Sequence, residues 1–432
     1  MSSEPKPTFA KAFALLRRGA FSRYMAGEAI SMTGTWMQAM AQVWVITSLS
    51  NKAVMLGAVT LASGIPMILL SMIGGKFADR HDKRTILLLT QIIQIIMAAA
   101  LGFLVAKNQI QIWHLLAAAL VLGISNAFEM PAASALVPEL VQKQDMATAI
   151  AIDRSVFHAT RLIGPSAAGF LIGFWGTAAA FFANALSFFA LIIALLSIPA
   201  RLPHTPEEKE KRSGGIKQGF QHVRSDKPTW AMLLLGCIAT FFVAPFLIVM
   251  MPLYARDTLH FGARQIGVLM SVSSIGSLTG SITLLNLDRT GRRLRLTFGV
   301  IAVTAALVTM SRTDNFFVAA ASMILLSIGA STCIGLANII VQERAPDHLR
   351  GRVSAVAGIC LFGLFPLATV LVTTLADQIG MRVTIISTAT LYALSSLVVL
   401  ARIGHQFSAP LPGAAESPIP SPSAQVVTMP QS

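Results

Sequence analysis

Residues 75–84 read Gly75-Lys76-Phe77-Ala78-Asp79-Arg80-His81-Asp82-Lys83-Arg84, a short hydrophilic stretch between two long apolar runs. The pattern predicts a tight loop joining two membrane helices. A second version, Asp288-Arg289-Thr290-Gly291-Arg292-Arg293, again separates two apolar runs. The two Asp-Arg pairs lie 209 residues apart (288 − 79), close to half of the 432-residue chain. The same loop at the same place in each half predicts two related membrane bundles.

Composition points the same way. The chain is 54% hydrophobic and only 12% charged, which suits a polytopic membrane protein and not a soluble domain. A net charge of +14 raises the possibility of a nucleic-acid partner, but the basic residues sit in short loops between apolar runs, so no nucleic acid is expected. Cys237, Cys333 and Cys360 all fall inside apolar runs, with no disulfide framework and no metal spacing. The basic leader runs directly into a full-length span, so no cleaved signal peptide is expected.

A spanning helix needs about 20 apolar residues. Twelve stretches qualify: 24–47, 53–74, 85–106, 112–131, 150–173, 177–199, 229–252, 265–286, 294–311, 316–340, 353–376 and 382–402. Of 33 Lys and Arg, six (Lys52, Lys107, Arg256, Arg264, Arg312 and Arg382) fall in the loops of one end, and the other 27 (33 − 6) fall on the opposite side of the chain's alternation, all but the in-span Arg161 at or near that end. That asymmetry predicts a cytoplasmic basic end with both termini inside. The expected organisation is a basic leader (1–23), a six-helix bundle (24–199), a cytoplasmic linker (200–228), a second six-helix bundle (229–402) and a disordered tail (403–432). Within the linker, Ile216–Val223 has weak helical amphipathicity and reads equally as a surface-lying helix or a solvated tether.

The loop pattern resembles the major facilitator superfamily. Its signature Gly-x-x-x-Asp-Arg-x-Gly-Arg-Arg/Lys is matched by Gly75, Asp79, Arg80, Lys83 and Arg84, with Asp82 where the family prefers Gly. The echo keeps Gly291, Arg292 and Arg293 and has Leu284 at the leading Gly. The stretch from Pro131 to Gly169, including Arg161-x-x-Gly164-Pro165-x-x-x-Gly169, is similar to the bacterial transmembrane secretion effector branch, which includes enterobactin and macrolide exporters. Phe21-Ser22-Arg23-Tyr24, Gly34-Thr35-Trp36-Met37-Gln38 and Leu349-Arg350-Gly351-Arg352 also fit. The resemblance implies an all-α integral membrane fold of twelve helices in two pseudo-symmetric bundles. It further implies export of a small organic molecule across a bacterial inner membrane, in exchange for protons, by a monomer. One departure concerns coupling: many proton antiporters of the superfamily carry an Arg in helix four, whereas this span four has only Asn126 and Glu129.

Charges inside spans are costly, so each is a functional candidate. Glu28, Glu129, Asp153, His158 and Arg161 form that set. Arg161 lies near the bilayer midplane and reads as a contact for an anion or substrate, as the partner of a proton-carrying carboxylate, or as a fixed ion pair locking span five to span one or four through Glu28 or Glu129. Gln38 and Gln42, at i and i+4, share a face of span one. The superfamily lines its cavity with helices one, four, seven and ten, so Trp36, Gln38, Gln42, Asn126, Phe242 and Asn338 are the expected cavity contacts, suited to a lipophilic or amphipathic cargo. Gly164, Pro165 and Gly169 read as close helix packing. The loop residues Gly75, Asp79, Arg80, Lys83 and Arg84, with Asp288, Arg289, Gly291, Arg292 and Arg293, read as a gate. In that reading Gly75 makes a close approach, Asp79 sits near a helix N-terminus, and the cations pair with Glu129 or anionic lipid. No nucleophile–base pair, cofactor loop or Gly-x4-Gly-Lys-Ser/Thr sequence is present, which argues against an enzyme or an ATP-driven pump. A nutrient importer on the same fold is the alternative reading.

Overall fold

The structure is a computed structural model, and it describes residues 9–17, 19–198, 216–284, 291–346 and 349–403. Asp288, Arg289, most of the 200–228 linker and nearly all of the 403–432 tail lie outside these residues. The described chain is helical in both halves. The first half holds α1 (Phe9–Leu16), α2 (Gly19–Leu49), α3 (Val54–Arg80), α4 (Lys83–Ala106), α5 (Ile112–Glu139), α6 (Met146–Trp175) and α7 (Thr177–Leu196). In the second half α8 (Ile216–Ser225) precedes α9 (Lys227–Phe242), which continues through a π turn (Phe246–Met250) into α10 (Met251–Asp257). Then come α11 (Ala263–Ile282), α12 (Arg292–Arg312), α13 (Phe316–Arg344), α14 (Arg350–Ile379) and α15 (Met381–Ile403).

Counting α9–α10 as one, twelve long helices match the twelve expected spans in order. Ten are long and apolar enough to cross a membrane on length and composition. The other two, α2 and α6, have the length at 31 and 30 residues, but Glu28, Asp153, Arg154 and Arg161 interrupt them. Several helices outrun the expected spans: α2 starts at Gly19, α3 continues to Arg80, and α5 reaches Glu139. At about 1.5 Å per residue, 31 residues cover roughly 46 Å, well beyond a hydrocarbon core of about 30 Å. The excess lies at the end rich in Lys and Arg, called here the basic end; the other is the far end. Large apolar side chains such as Leu69, Phe174, Leu186 and Phe317 point outward, as acyl chains require.

Local chemistry sets the helix ends. Asp82 is the N-cap of α4 and accepts the Thr85 N–H at 3.1 Å, which gives the departure from Gly a structural role. Asn315 caps α13 through the Phe317 N–H at 2.8 Å. α6 and α14 both end on a glycine with positive φ, Gly176 (81°) and Gly380 (84°), a conformation that a side chain would strain. These two lie 204 residues apart (380 − 176), so the repeat extends to helix termination.

The same duplication appears in ion pairs. Lys83 Nζ meets Glu139 Oε1 at 2.8 Å, and Arg292 meets Glu343 through two bonds of 2.9 Å. Each ties the start of the third helix of a bundle to the end of its fourth. Thus Lys83 pairs with Glu139 and not with Glu129, while Arg84 donates to the Leu196 carbonyl at 3.3 Å. Two further expectations change. Asp79 and Arg80 belong to the last turn of α3, so the N-terminal cap position belongs to Asp82. Gly75 has open space beside it, and it is Gly74 whose added Cβ would run into the Ala127 carbonyl of α5. The linker segment from Ile216 is a helix docked on the second bundle: Val223 is fully buried, and Gly219 faces the Arg352 backbone.

Candidate functional site

The two bundles meet along two seams, α6 with α11 and α3 with α14. At the first, the Ser166 and Ser271 hydroxyls lie 2.6 Å apart, Ser271 donates to the Leu162 carbonyl at 2.6 Å, and Ser274 donates to the Arg161 carbonyl at 3.2 Å. Small residues permit this approach: a Cβ on Gly267 would stand 2.6 Å from the Pro165 carbonyl oxygen, and one on Gly169 2.9 Å from that of Ala263. At the second seam Gly57 and Gly64 pack on Val370 and Pro366. The Asp377 carboxylate accepts the Ala53 and Val54 N–H groups at 2.6 and 2.9 Å. It therefore caps α3 from the other bundle. Among the described residues, hydrogen bonds between the bundles run from the level of Arg161 to the far end and are not found nearer the basic end. On the basic half of α14, Gly358 and Gly363 have open space beside them. Among the described residues, then, the bonds that join the bundles gather toward the far end.

Just inside these bonds lies a cavity of about 290 Å³. The first bundle contributes Trp36, Gln42, Val59, Asn126 and Arg161, and the second Leu247, Met270, Ser274 and Phe365. Gly164 lets α6 lie against α2, because a Cβ there would meet the Thr33 carbonyl oxygen at 3.0 Å as well as Trp36. Trp36 is thereby held edge-on to Phe157 (5.9 Å between centroids), and the Arg161 guanidinium stands 5.6 Å over its ring. Pro165, in the same wall, shapes the floor.

Of the expected cavity residues, Trp36, Gln42 and Asn126 line this space, as does Arg161. Gln38 does not. It is buried and accepts the Asn184 amide of α7 at 2.8 Å, because α2 turns that residue into its own bundle. Phe242 packs on Phe241 (5.1 Å) away from the lining, and Asn338 lies exposed near the end of α13. Span seven contributes instead through its π turn, whose Leu247, Ile248 and Val249 face the cavity. Such turns are frequent where a helix serves a site, and Pro245 and Pro252 flanking it were the sequence signal.

A second polar centre lies nearer the basic end. Glu28 of α2 is within electrostatic range of Glu129 and Asp153 and faces the Tyr24 hydroxyl. Glu129 is held by α4: the Gln91 amide donates to Oε1 at 2.8 Å and the Gln94 amide to Oε2, while Ser31 donates to Gln91 at 3.3 Å. Gln91 and Gln94 were missed in the sequence, where an i, i+3 pair of neutral amides in the otherwise apolar 85–106 run was the available signal. Along α6 itself Asp153 precedes Arg161 by eight residues (161 − 153), so it sits roughly 12 Å closer to the basic end. The fixed pairing of Arg161 with Glu28 or Glu129 is not formed. His158 is within electrostatic range of both Arg161 and the exposed Arg154.

A sequence profile described as transmembrane secretion effector matches residues 10–425. The chain belongs to that family. Macrolide efflux protein A of Streptococcus pyogenes is 21% identical over 369 residues, covering 84% of this chain and 90% of the relative. The multidrug efflux pump Tap of Mycolicibacterium fortuitum is 22% identical, covering 86% and 92%. The enterobactin exporter EntS of Citrobacter koseri is 26% identical, covering 61% and 62%. Among solved structures, a bacterial homologue of the iron transporter ferroportin, in an inward-facing state, superposes with a TM-score of 0.68 at 16% identity, covering 92% of this chain and all of that one. This transmembrane secretion effector is thus a multi-pass membrane transporter with the major facilitator fold, of the efflux branch, and not an enzyme.

Proposed function

We propose that the chain exports small amphipathic organic molecules across a bacterial inner membrane by alternating access, in exchange for protons, as a monomer with both termini cytoplasmic. The observation that carries this is a cavity lined by both bundles, with small residues and the Asp377 cap joining them at the far end. The Lys and Arg asymmetry supports a cytoplasmic basic end, and in that reading the contacts gathered at the far end fit the cytoplasm-facing member of the cycle. Cargo enters from that side, and rocking about the two seams exposes it to the other. The proton carriers are the Glu28, Glu129 and Asp153 carboxylates, placed between the cytoplasm and the cavity. The Gly75–Arg84 loop, with Gly291–Arg293, closes the basic end in the opposite state.

The test uses energised inside-out vesicles and a pH-quenched dye. Adding an amphipathic cargo should cause dequenching, and Arg161→Ala should reduce the initial rate by about tenfold or more. No proton movement with any compound in a panel of siderophores and lipophilic drugs would count against proton-coupled export of these classes and leave another cargo, another coupling ion or import. If efflux of a cargo is nevertheless seen, another ion drives it.

A further inference from the structure

We propose that the cavity selects an amphipathic anion: an organic acid whose anionic group sits on Arg161 and whose apolar body lies against Val59, Leu247 and Phe365. This rests on the transporter reading only for how the ligand is moved, not for how it is held.

Four observations converge. Arg161 lines the cavity, and among the described residues its guanidinium has no carboxylate within ion-pair distance; its contact is the Trp36 ring. An arginine stays charged, and a cation withdrawn from water is disfavoured until an anion or hydrogen-bond acceptors reach it. The acids that would neutralise it are committed elsewhere: Glu129 to Gln91 and Gln94, and Glu28 to the cluster toward the basic end. The opposite wall offers no charge, since Leu247, Met270 and Phe365 are apolar and Ser274 is spent on the Arg161 carbonyl. Gln42 and Asn126 add neutral amides to the same cavity, able to donate to an acceptor. One fixed cation, two amides and apolar walls complement a monoanion with a hydrophobic body. About 290 Å³ holds a fused two-ring skeleton.

Binding is separable from transport. Three probes share one apolar body and differ in charge: 2-naphthylacetate, its primary amide, and 2-naphthylethylamine. Titration calorimetry on the purified full chain should show the anion binding about tenfold tighter than the amide or the amine. Arg161→Gln should erase that preference, and Arg161→Lys should keep most of it, which separates loss of charge from loss of fold. The proposal is overturned if the amine or amide binds as tightly as the acid, if the preference survives in Arg161→Gln, or if none of the three binds. Proton-linked efflux of a cationic drug with no anion preference would sink this inference and leave the exporter reading standing. Arg161-dependent anion binding without transport would do the reverse.

Discussion

Asp226 caps α9 through the Thr229 N–H at 3.1 Å and takes two bonds of 2.7 and 2.8 Å from Arg344 of α13. Burial alone would raise its carboxyl, but the hydrogen bonds from Arg344 and Thr229 outweigh that and hold it below the ordinary range. A depressed carboxylate stabilises the fold above its unfolded value of about 3.9 and loses that contribution as pH falls through its lower folded value. The thermal midpoint in detergent should therefore drop on acidification below about pH 4. Asp226→Asn keeps a cap but loses the pair. It should cost about 2 kcal/mol at neutral pH and flatten the acid limb; an unchanged limb would remove Asp226 as its source. At this scale the sequence was partly legible. Arg161, Trp36, Gln42 and Asn126 stood out because polarity in a span is expensive. Gln38 misled because the edge of the cavity passes between it and Gln42, a distinction of about 40° around the helix that spacing does not resolve. Gln91 and Gln94 were silent because a neutral amide signals little until its partner, Glu129, is placed beside it.

The α6–α11 seam shows how an element carries function through what it lacks. Its glycines and serines bring two backbones together, so bulk on one of them acts on one conformational state. Gly267→Leu would force its side chain into the Pro165 carbonyl and should disfavour the sealed far end. Cysteines at Ser166 and Ser271, whose oxygens are 2.6 Å apart, should cross-link readily in the parent. Adding Gly267→Leu should slow that reaction by about fivefold, the effect of roughly 1 kcal/mol on the equilibrium; undiminished cross-linking would show that the seam tolerates the bulk. The Arg161-x-x-Gly164-Pro165-x-x-x-Gly169 element made this helix conspicuous in the sequence. Its partner Gly267 was not, because a glycine in an apolar run names no neighbour.

For the whole molecule, the apolar runs and the doubled loop carried the fold, and the structure extends the repeat to the Lys83–Glu139 and Arg292–Glu343 pairs and to Gly176 and Gly380. Where the bundles touch was illegible, because the contacts are made by small residues and backbone groups that carry no pattern. The Asp377 cap is a charged contact of the far seal, as is Arg264 of α11, whose guanidinium stands 5.1 Å over the Phe170 ring of α6. Asp377→Ala should open that end by about 1–2 kcal/mol. Spin labels at Lys52 and Gln378, both exposed, would report a larger long-distance population, and an unchanged distribution would assign the seal to packing alone.

Four polar contacts among the described residues of the basic end form within one half: Lys83 with Glu139 and Arg23 with Ser197 in one, Arg292 with Glu343 and Arg344 with Asp226 in the other. None of these four contacts spans the two halves. The proposed rocking about the two seams would therefore leave all four of these contacts intact, each half carrying its own end along as a preformed piece.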